Sequence, residues 1–146
     1  MILPDTNLLV YAYNADAPQH KRARLWLEES FSSDEPLALT WATLGGFLRV
    51  CTNRRAMAKP ASIGQAIEII DQWLAHPTAH IIRPGERHWS ILTAMLQAIQ
   101  LGGNLVSDAH LAALALEHDC ELYSTDNDFA RFPGLRWRNP LGLSTE

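Results

Sequence analysis

The chain opens on an apolar run, Ile2-Leu3-Pro4, that breaks at Asp5-Thr6-Asn7 and resumes as Leu8-Leu9-Val10-Tyr11. That pattern predicts a short buried strand, a tight turn and a short helix over residues 8–13. Helical spacing then predicts a helix over 20–30, with Ala23, Leu25, Trp26 and Leu27 among basic and acidic positions. A second covers 41–52, with Leu44, Phe47, Leu48 and Cys51 in register. A third follows Ser62, with Ile63, Ile67, Ile70 and Leu74 on one face. A fourth covers 86–101, with Trp89, Leu92, Met95, Leu96 and Ile99 inward. The helix over 109–118 is apolar nearly all round, so deep burial is expected.

Between these lie strand-length apolar runs at 37–39, 79–83 and 121–125, and an alternating edge strand at 135–138. Leu105-Val106 is too short to assign. Residues 129–133 read as a short turn of helix or loop, and residues 140–146 as a tail. Thr40 and Ser62 are placed as N-caps, and Ser107-Asp108 as an N-cap followed by a first-turn acid. Gly102-Gly103-Asn104 is a helix stop. The glycine pair Gly45-Gly46 sits inside a helix, where each costs roughly 1 kcal/mol against alanine. Close approach of a neighbour or ligand is the expected reason. Strands that alternate with helices imply an α/β fold with a mostly parallel sheet and helices on both faces. A single domain over residues 1–146 is expected.

Composition narrows the function classes. Hydrophobic residues make up 47% of the chain, enough for an extensive core. A formal net charge of −4 argues against a protein that coats nucleic acid indiscriminately. Cys51 and Cys120 have no metal-ligand spacing and read as reduced core residues. No basic region precedes the first apolar run, which Asp5 interrupts, and no stretch reaches the roughly 20 residues of a membrane span. A cytoplasmic protein with no membrane partner is expected. Neither a Gly-rich dinucleotide loop nor a P-loop occurs.

The candidate chemistry lies in carboxylates. Asp5 ends one strand, Asp108 opens a helix, and Asp126 ends another strand with Asp128 two residues on. In a doubly wound sheet these positions converge at the edge where strands feed helices. Gathered carboxylates repel, and an oxygen-preferring divalent cation removes that cost. Taken singly, Asp108 fits a helix-start acid and Asp126 or Asp128 a turn former, whereas Asp5 after three apolar residues needs a partner. His110 reads as a polar surface or capping residue rather than a ligand, and the other histidines have no ligand spacing. Arg49, Arg54, Arg55 and Lys59 fit either a groove for an RNA backbone or a solvated helix end.

These segments resemble a known family. ILPDTNLLVYA, WATLGGFLRVCTNRR and LVSDAHLAALALEHDCELYSTDNDFARFPGLRWRNPL, in that order, are similar to PIN-domain proteins, and more closely to VapC-type toxins of bacterial toxin–antitoxin pairs. The resemblance implies a PIN-like, Rossmann-like fold and an endoribonuclease that cuts structured RNA, commonly tRNA or ribosomal RNA, and so inhibits translation. It implies Mg²⁺ as cofactor, with Mn²⁺ able to substitute, a cognate VapB-like antitoxin and a homodimer. It assigns Asp5, Asp108 and Asp126 as catalytic residues and metal ligands, Asp128 as a supplementary ligand, and Asn7 and Thr125 as supporting residues. Where many members carry glutamate before the F-L-R segment, this chain has Gly46. A non-catalytic RNA-binding relative therefore stays open as an alternative. A phosphatase or phosphotransfer domain, whose nucleophile is also an aspartate after the first strand, is the alternative from another class. It needs a second acid close behind Asp5 and a placed lysine, and the only lysines are Lys21 and Lys59.

Overall fold

The first strand is the centre of the molecule. In the computed structural model, which describes residues 1–142, β1 (Ile2–Pro4) is flanked by β2 (Leu37–Leu39) and β4 (Glu121–Tyr123). β3 (Ala79–Ile81) and β5 (Trp137–Arg138) close the two edges, giving the order β3-β2-β1-β4-β5 with every pairing parallel. The helices are α1 (Thr6–Tyr13), α2 (His20–Ser32), α3 (Trp41–Cys51), α4 (Ile63–Leu74), α5 (His88–Ile99) and α6 (Leu105–Glu117). The mostly parallel sheet expected from the alternation is present, and β1 and β2 are buried end to end. The chain first winds outward from β1 to β3, then crosses to β4 on the other side. The order reverses between β1 and β4, which is where doubly wound sheets form their crevice.

Strand alternation divides the core in two. Leu3, Ala38 and Leu122 face α5 and α6 with Met95, Leu111, Leu114 and Phe129. Leu37 and Leu39 face the other layer, with Leu9, Leu27, Phe31, Phe47, Ile70 and Trp73. α6 lies against the sheet through Ala109, Ala112, Ala113 and Ala115, all fully buried. Small side chains let its backbone come close, and the deep burial expected of it is observed. Cys51 and Cys120 are buried and free. Thr40 and Ser62 are N-caps, each in a reciprocal capping box with Thr43 and Gln65. Among the described residues no helix is long and apolar enough to cross a membrane.

Several expectations need correction. α6 begins at Leu105, so Leu105-Val106 is its first turn and Ser107 lies inside the helix rather than at its cap. Asp108 is nevertheless in that first turn. Of the α5 residues expected inward, Met95 is buried and Leu92, Leu96 and Ile99 pack against the core, but Trp89, in the first turn, is 72% exposed. On α4 the buried face is Ala66, Ile70 and Trp73, and Ile63 and Ile67 stand in solvent. α5 ends at Gln100 in a left-handed conformation, ahead of the glycine pair. The strands over 79–83, 121–125 and 135–138 are each shorter than expected. A 3₁₀ turn, Asn127–Arg131, fills the place of the expected turn over 129–133. The tail over 140–146 lies outside the described residues from 143 onward.

Candidate active site

Parallel register brings the first two site segments together. Ile2, Leu3 and Pro4 pair with Glu121, Leu122 and Tyr123, so the next residues, Asp5 and Ser124, leave the sheet side by side. The Asp5 amide donates to the Tyr123 carbonyl at 2.9 Å, which prolongs the ladder by one bond. Asp5 then caps α1: one carboxylate oxygen accepts from the Thr6 amide at 2.7 Å. The other accepts from the Ser124 hydroxyl at 2.8 Å. Ser124 is fully buried and its oxygen also accepts from the Asp126 amide at 3.0 Å, tying the β1 and β4 ends into one unit. Asp126 repeats the capping device on the 3₁₀ turn, accepting from the Asp128 amide at 2.9 Å. Arg131 pairs with Asp128 at 3.3 Å on the exposed rim.

Asp108 reaches the same place from α6. Asp108, Asp126 and Asp128 each offer a carboxylate oxygen within 4.8 Å of the others. A cleft of about 310 Å³ is lined by Asp108 and Asp126 together with Asp5, Thr6, Asn7, Gly46, Arg49 and His110. Burial, reinforced by Asp126 and then Asp5, pushes the Asp108 carboxyl up to about 7. The Asp5 carboxyl is raised too, mainly by burial, although its bonds from Ser124 and Thr6 oppose the shift. A cluster of this kind, all oxygen and short of cations, fits a hard divalent ion.

The remaining sequence candidates separate. Asn7 lines the cleft. Thr125 makes no side-chain hydrogen bond among the described residues, and the contact with Asp5 belongs to its neighbour Ser124. Gly46 faces the cleft, and a Cβ there would lie 2.9 Å from the Thr6 hydroxyl and 3.0 Å from its methyl. Close approach of α1 and α3 therefore accounts for this glycine. Gly45 has nothing within 4 Å of such a Cβ, and no packing reason for it is visible. Of the basic residues, Arg49 lines the cleft.

His110, expected as a polar surface or capping residue rather than a ligand, is half-buried. It lies on the cleft wall rather than on an outer surface, and its Nδ1 is 3.0 Å from Nε2 of His88 on α5. Burial, and secondarily His88, lower its pKa. The spacing Asp108-x-His110 points the two side chains to different helix faces, but both faces of an N-terminal turn can border one crevice. Ser124 was findable: writing Ile2-Leu3-Pro4-Asp5 over Glu121-Leu122-Tyr123-Ser124 in parallel register pairs it with Asp5.

A PIN-domain family model matches residues 2–135, and the chain belongs to the PIN-domain family. Within that family it stands with the VapC ribonucleases. VapC ribonuclease Mb2897 of Mycobacterium bovis is 46% identical over 145 residues, covering 99% of each chain. Ribonuclease VapC33 of Mycobacterium tuberculosis is 39% identical over 141 residues, covering 97% of this chain and 99% of its own. A chain of VapBC2 from Rickettsia felis, solved bound to a promoter DNA fragment, superposes with a TM-score of 0.71 at 20% identity, covering 95% of this chain and 98% of that one. That likeness concerns the fold.

Proposed function

We propose that this protein is a metal-dependent endoribonuclease toxin that cuts structured RNA, tRNA or ribosomal RNA, and so stops translation. The observation that carries the reading is the convergence of Asp5, Asp108 and Asp126 on one cleft at the switch point of the sheet, with a carboxylate oxygen of Asp128 within 4.8 Å of those of Asp108 and Asp126. Asp108, Asp126 and Asp128 would hold the ion, with Asp5 beside them. Bound Mg²⁺, or Mn²⁺ in its place, supplies an acidified water and a charge clamp on a phosphoryl oxygen. The protein's own part is positional. Ser124 and the Thr6 amide fix Asp5 in one rotamer, so its carboxylate needs no reordering when RNA arrives. Arg49 gives the cleft wall a positive charge suited to an RNA backbone.

A VapB-like antitoxin is proposed as partner. A second, more apolar groove of about 390 Å³ lies between α1, α2 and α4, lined by Tyr13, Leu27, Phe31, Ile69 and Trp73 among others. α1 joins the two sites: Thr6 and Asn7 line the cleft, and Ala12 and Tyr13 line the groove. A helix of this length spans about 12 Å. An antitoxin segment seated in the groove could thus extend a basic side chain to the acids and neutralise them.

The test is cleavage of total RNA with Mg²⁺ or Mn²⁺ and with excess EDTA. Cleavage that needs the ion and vanishes in Asp108→Asn is expected. Equal cleavage in EDTA would sink the metal mechanism. RNA binding without cleavage in any divalent ion would mark a non-catalytic RNA-binding relative instead.

A further inference from the structure

His88 and His110 form a hydrogen-bonded pair that no part of the metal cluster explains. His110 Nδ1 and His88 Nε2 are 3.0 Å apart, and the rings meet edge to face with centroids 4.7 Å apart. One proton lies between the two nitrogens, and the surroundings decide whose it is. His88 Nδ1 is buried and has no hydrogen-bond partner. Were His88 the acceptor at Nε2, its own proton would sit on that buried Nδ1 with nothing to receive it. Folded proteins rarely leave a buried N–H so placed. With the proton on Nε2, His88 donates to His110, and its Nδ1 keeps only a lone pair.

The consequence falls on His110. Its Nδ1 accepts, so its own proton is on Nε2, the ring nitrogen that His88 leaves free, and the residue lines the cleft. We infer that His110 is a substrate-contacting residue: its Nε2–H donates a hydrogen bond to a non-bridging oxygen of the RNA phosphate lying over the acid cluster. His88 is the positioning residue that fixes the His110 tautomer and ring plane. This rests on the ribonuclease reading above. The carboxylates of Asp5, Asp108 and Asp126 in the cleft repel a phosphodiester, so a fixed neutral donor on its wall adds orientation without competing for the cation. The arrangement parallels the way a carboxylate or carbonyl sets the tautomer of a ligand histidine, here with a second imidazole in that role.

Two measurements test the inference. The first needs no catalysis: ¹⁵N NMR of the metal-free protein should show neutral His110 protonated on Nε2, and His88→Ala should give a mixture of tautomers. A His110 protonated on Nδ1 would overturn the assignment. The second is RNA cleavage kinetics beside Mn²⁺ titration. His110→Ala should lose about 10²-fold in kcat/KM, the size typical of one lost donor to a charged oxygen, with Mn²⁺ affinity unchanged. His110→Gln, which keeps an amide donor, should recover part of the loss. His88→Ala should fall between wild type and His110→Ala, and His88→Gln should restore cleavage to within about threefold of wild type, since the remaining effect is one of orientation. Wild-type kinetics in His110→Ala would refute the phosphate contact while leaving the ribonuclease reading intact. Loss of Mn²⁺ binding in His110→Ala would likewise overturn it, by making the residue a support of the metal cluster. If wild type cuts no RNA in any divalent ion, the ribonuclease reading fails and the substrate contact falls with it, whatever tautomer the spectrum shows.

Discussion

Asp108 is a carboxyl held among carboxyls, and its proton affinity has a consequence for stability. Its folded pKa, about 7, stands above the ordinary 3.8. Between those values the folded state binds more protons than the unfolded one, so this group makes the metal-free protein less stable as pH rises from about 4 to about 7. In EDTA, the melting temperature of wild type should therefore fall relative to that of Asp108→Asn over this window. A parallel pH dependence of the two proteins would contradict the repulsive cluster. Gly46 carries a second residue-scale prediction. A glutamate there would gain roughly 1 kcal/mol of helix propensity over glycine, yet its Cβ would press on Thr6 at 2.9 Å. Gly46→Glu alone should thus be no more stable than wild type, and Thr6→Ala should relieve it in a double-mutant cycle read by urea unfolding. Mn²⁺ titration of the relieved variant should show tighter binding without RNA. Weaker binding would mean that a side chain at 46 does not reach the cluster. The acids themselves were legible in sequence because each stands at the polar end of an apolar run. The hydroxyl that fastens Asp5, that of Ser124, drew no notice because a serine closing a strand carries no signal of its own until the register sets it beside Asp5.

At the scale of elements, periodicity found every helix but did not always say which side faces inward. On α4, Ile63, Ile67, Ile70 and Leu74 share a helical stripe, yet the buried set is Ala66, Ile70 and Trp73. The stripe counts large apolar residues, whereas the sheet and α3 select the face by fit, and a small alanine fits closest. On α5 the same reasoning turned both Trp89 and Met95 inward, and the packing admits only Met95 of the two. The two readings of α5 differ measurably. Trp89→Ala removes a side chain that is 72% exposed and should change stability by less than about 0.5 kcal/mol. Met95→Ala empties a buried position, 3% exposed, and should cost about 2–5 kcal/mol. Urea unfolding of both variants checks the orientation, and a large loss in Trp89→Ala would reverse it. Register was within reach of the sequence, since Leu3 and Leu122 must share a face to share a core. Strand order was not, because nothing local records that β4 returns to lie beside β1.

For the molecule as a whole, the question is how a partner could silence a cleft whose acids sit at the centre of the sheet edge. The apolar groove between α1, α2 and α4 is the larger of the two concavities described here and carries no acid cluster. Among the described residues α1 is the only helix that lines both, by its two ends. Anchoring in the groove and blocking in the cleft are thus separable tasks, and a substitution in the groove should affect one without the other. Ile69 is half-buried on the groove wall, and glutamate there would place a charge where an apolar segment must desolvate it. Ile69→Glu should weaken the complex with the cognate antitoxin by at least about tenfold, the equivalent of roughly 1.4 kcal/mol. Because none of the residues described as lining the cleft belongs to α4, RNA cleavage by the free variant should stay within about twofold of wild type, provided thermal melting shows that the fold is kept. In cells the same variant should be toxic even when the antitoxin is co-expressed. Unchanged affinity in a folded Ile69→Glu protein would remove this groove as the anchoring site and leave the cleft itself as the place where the antitoxin must bind.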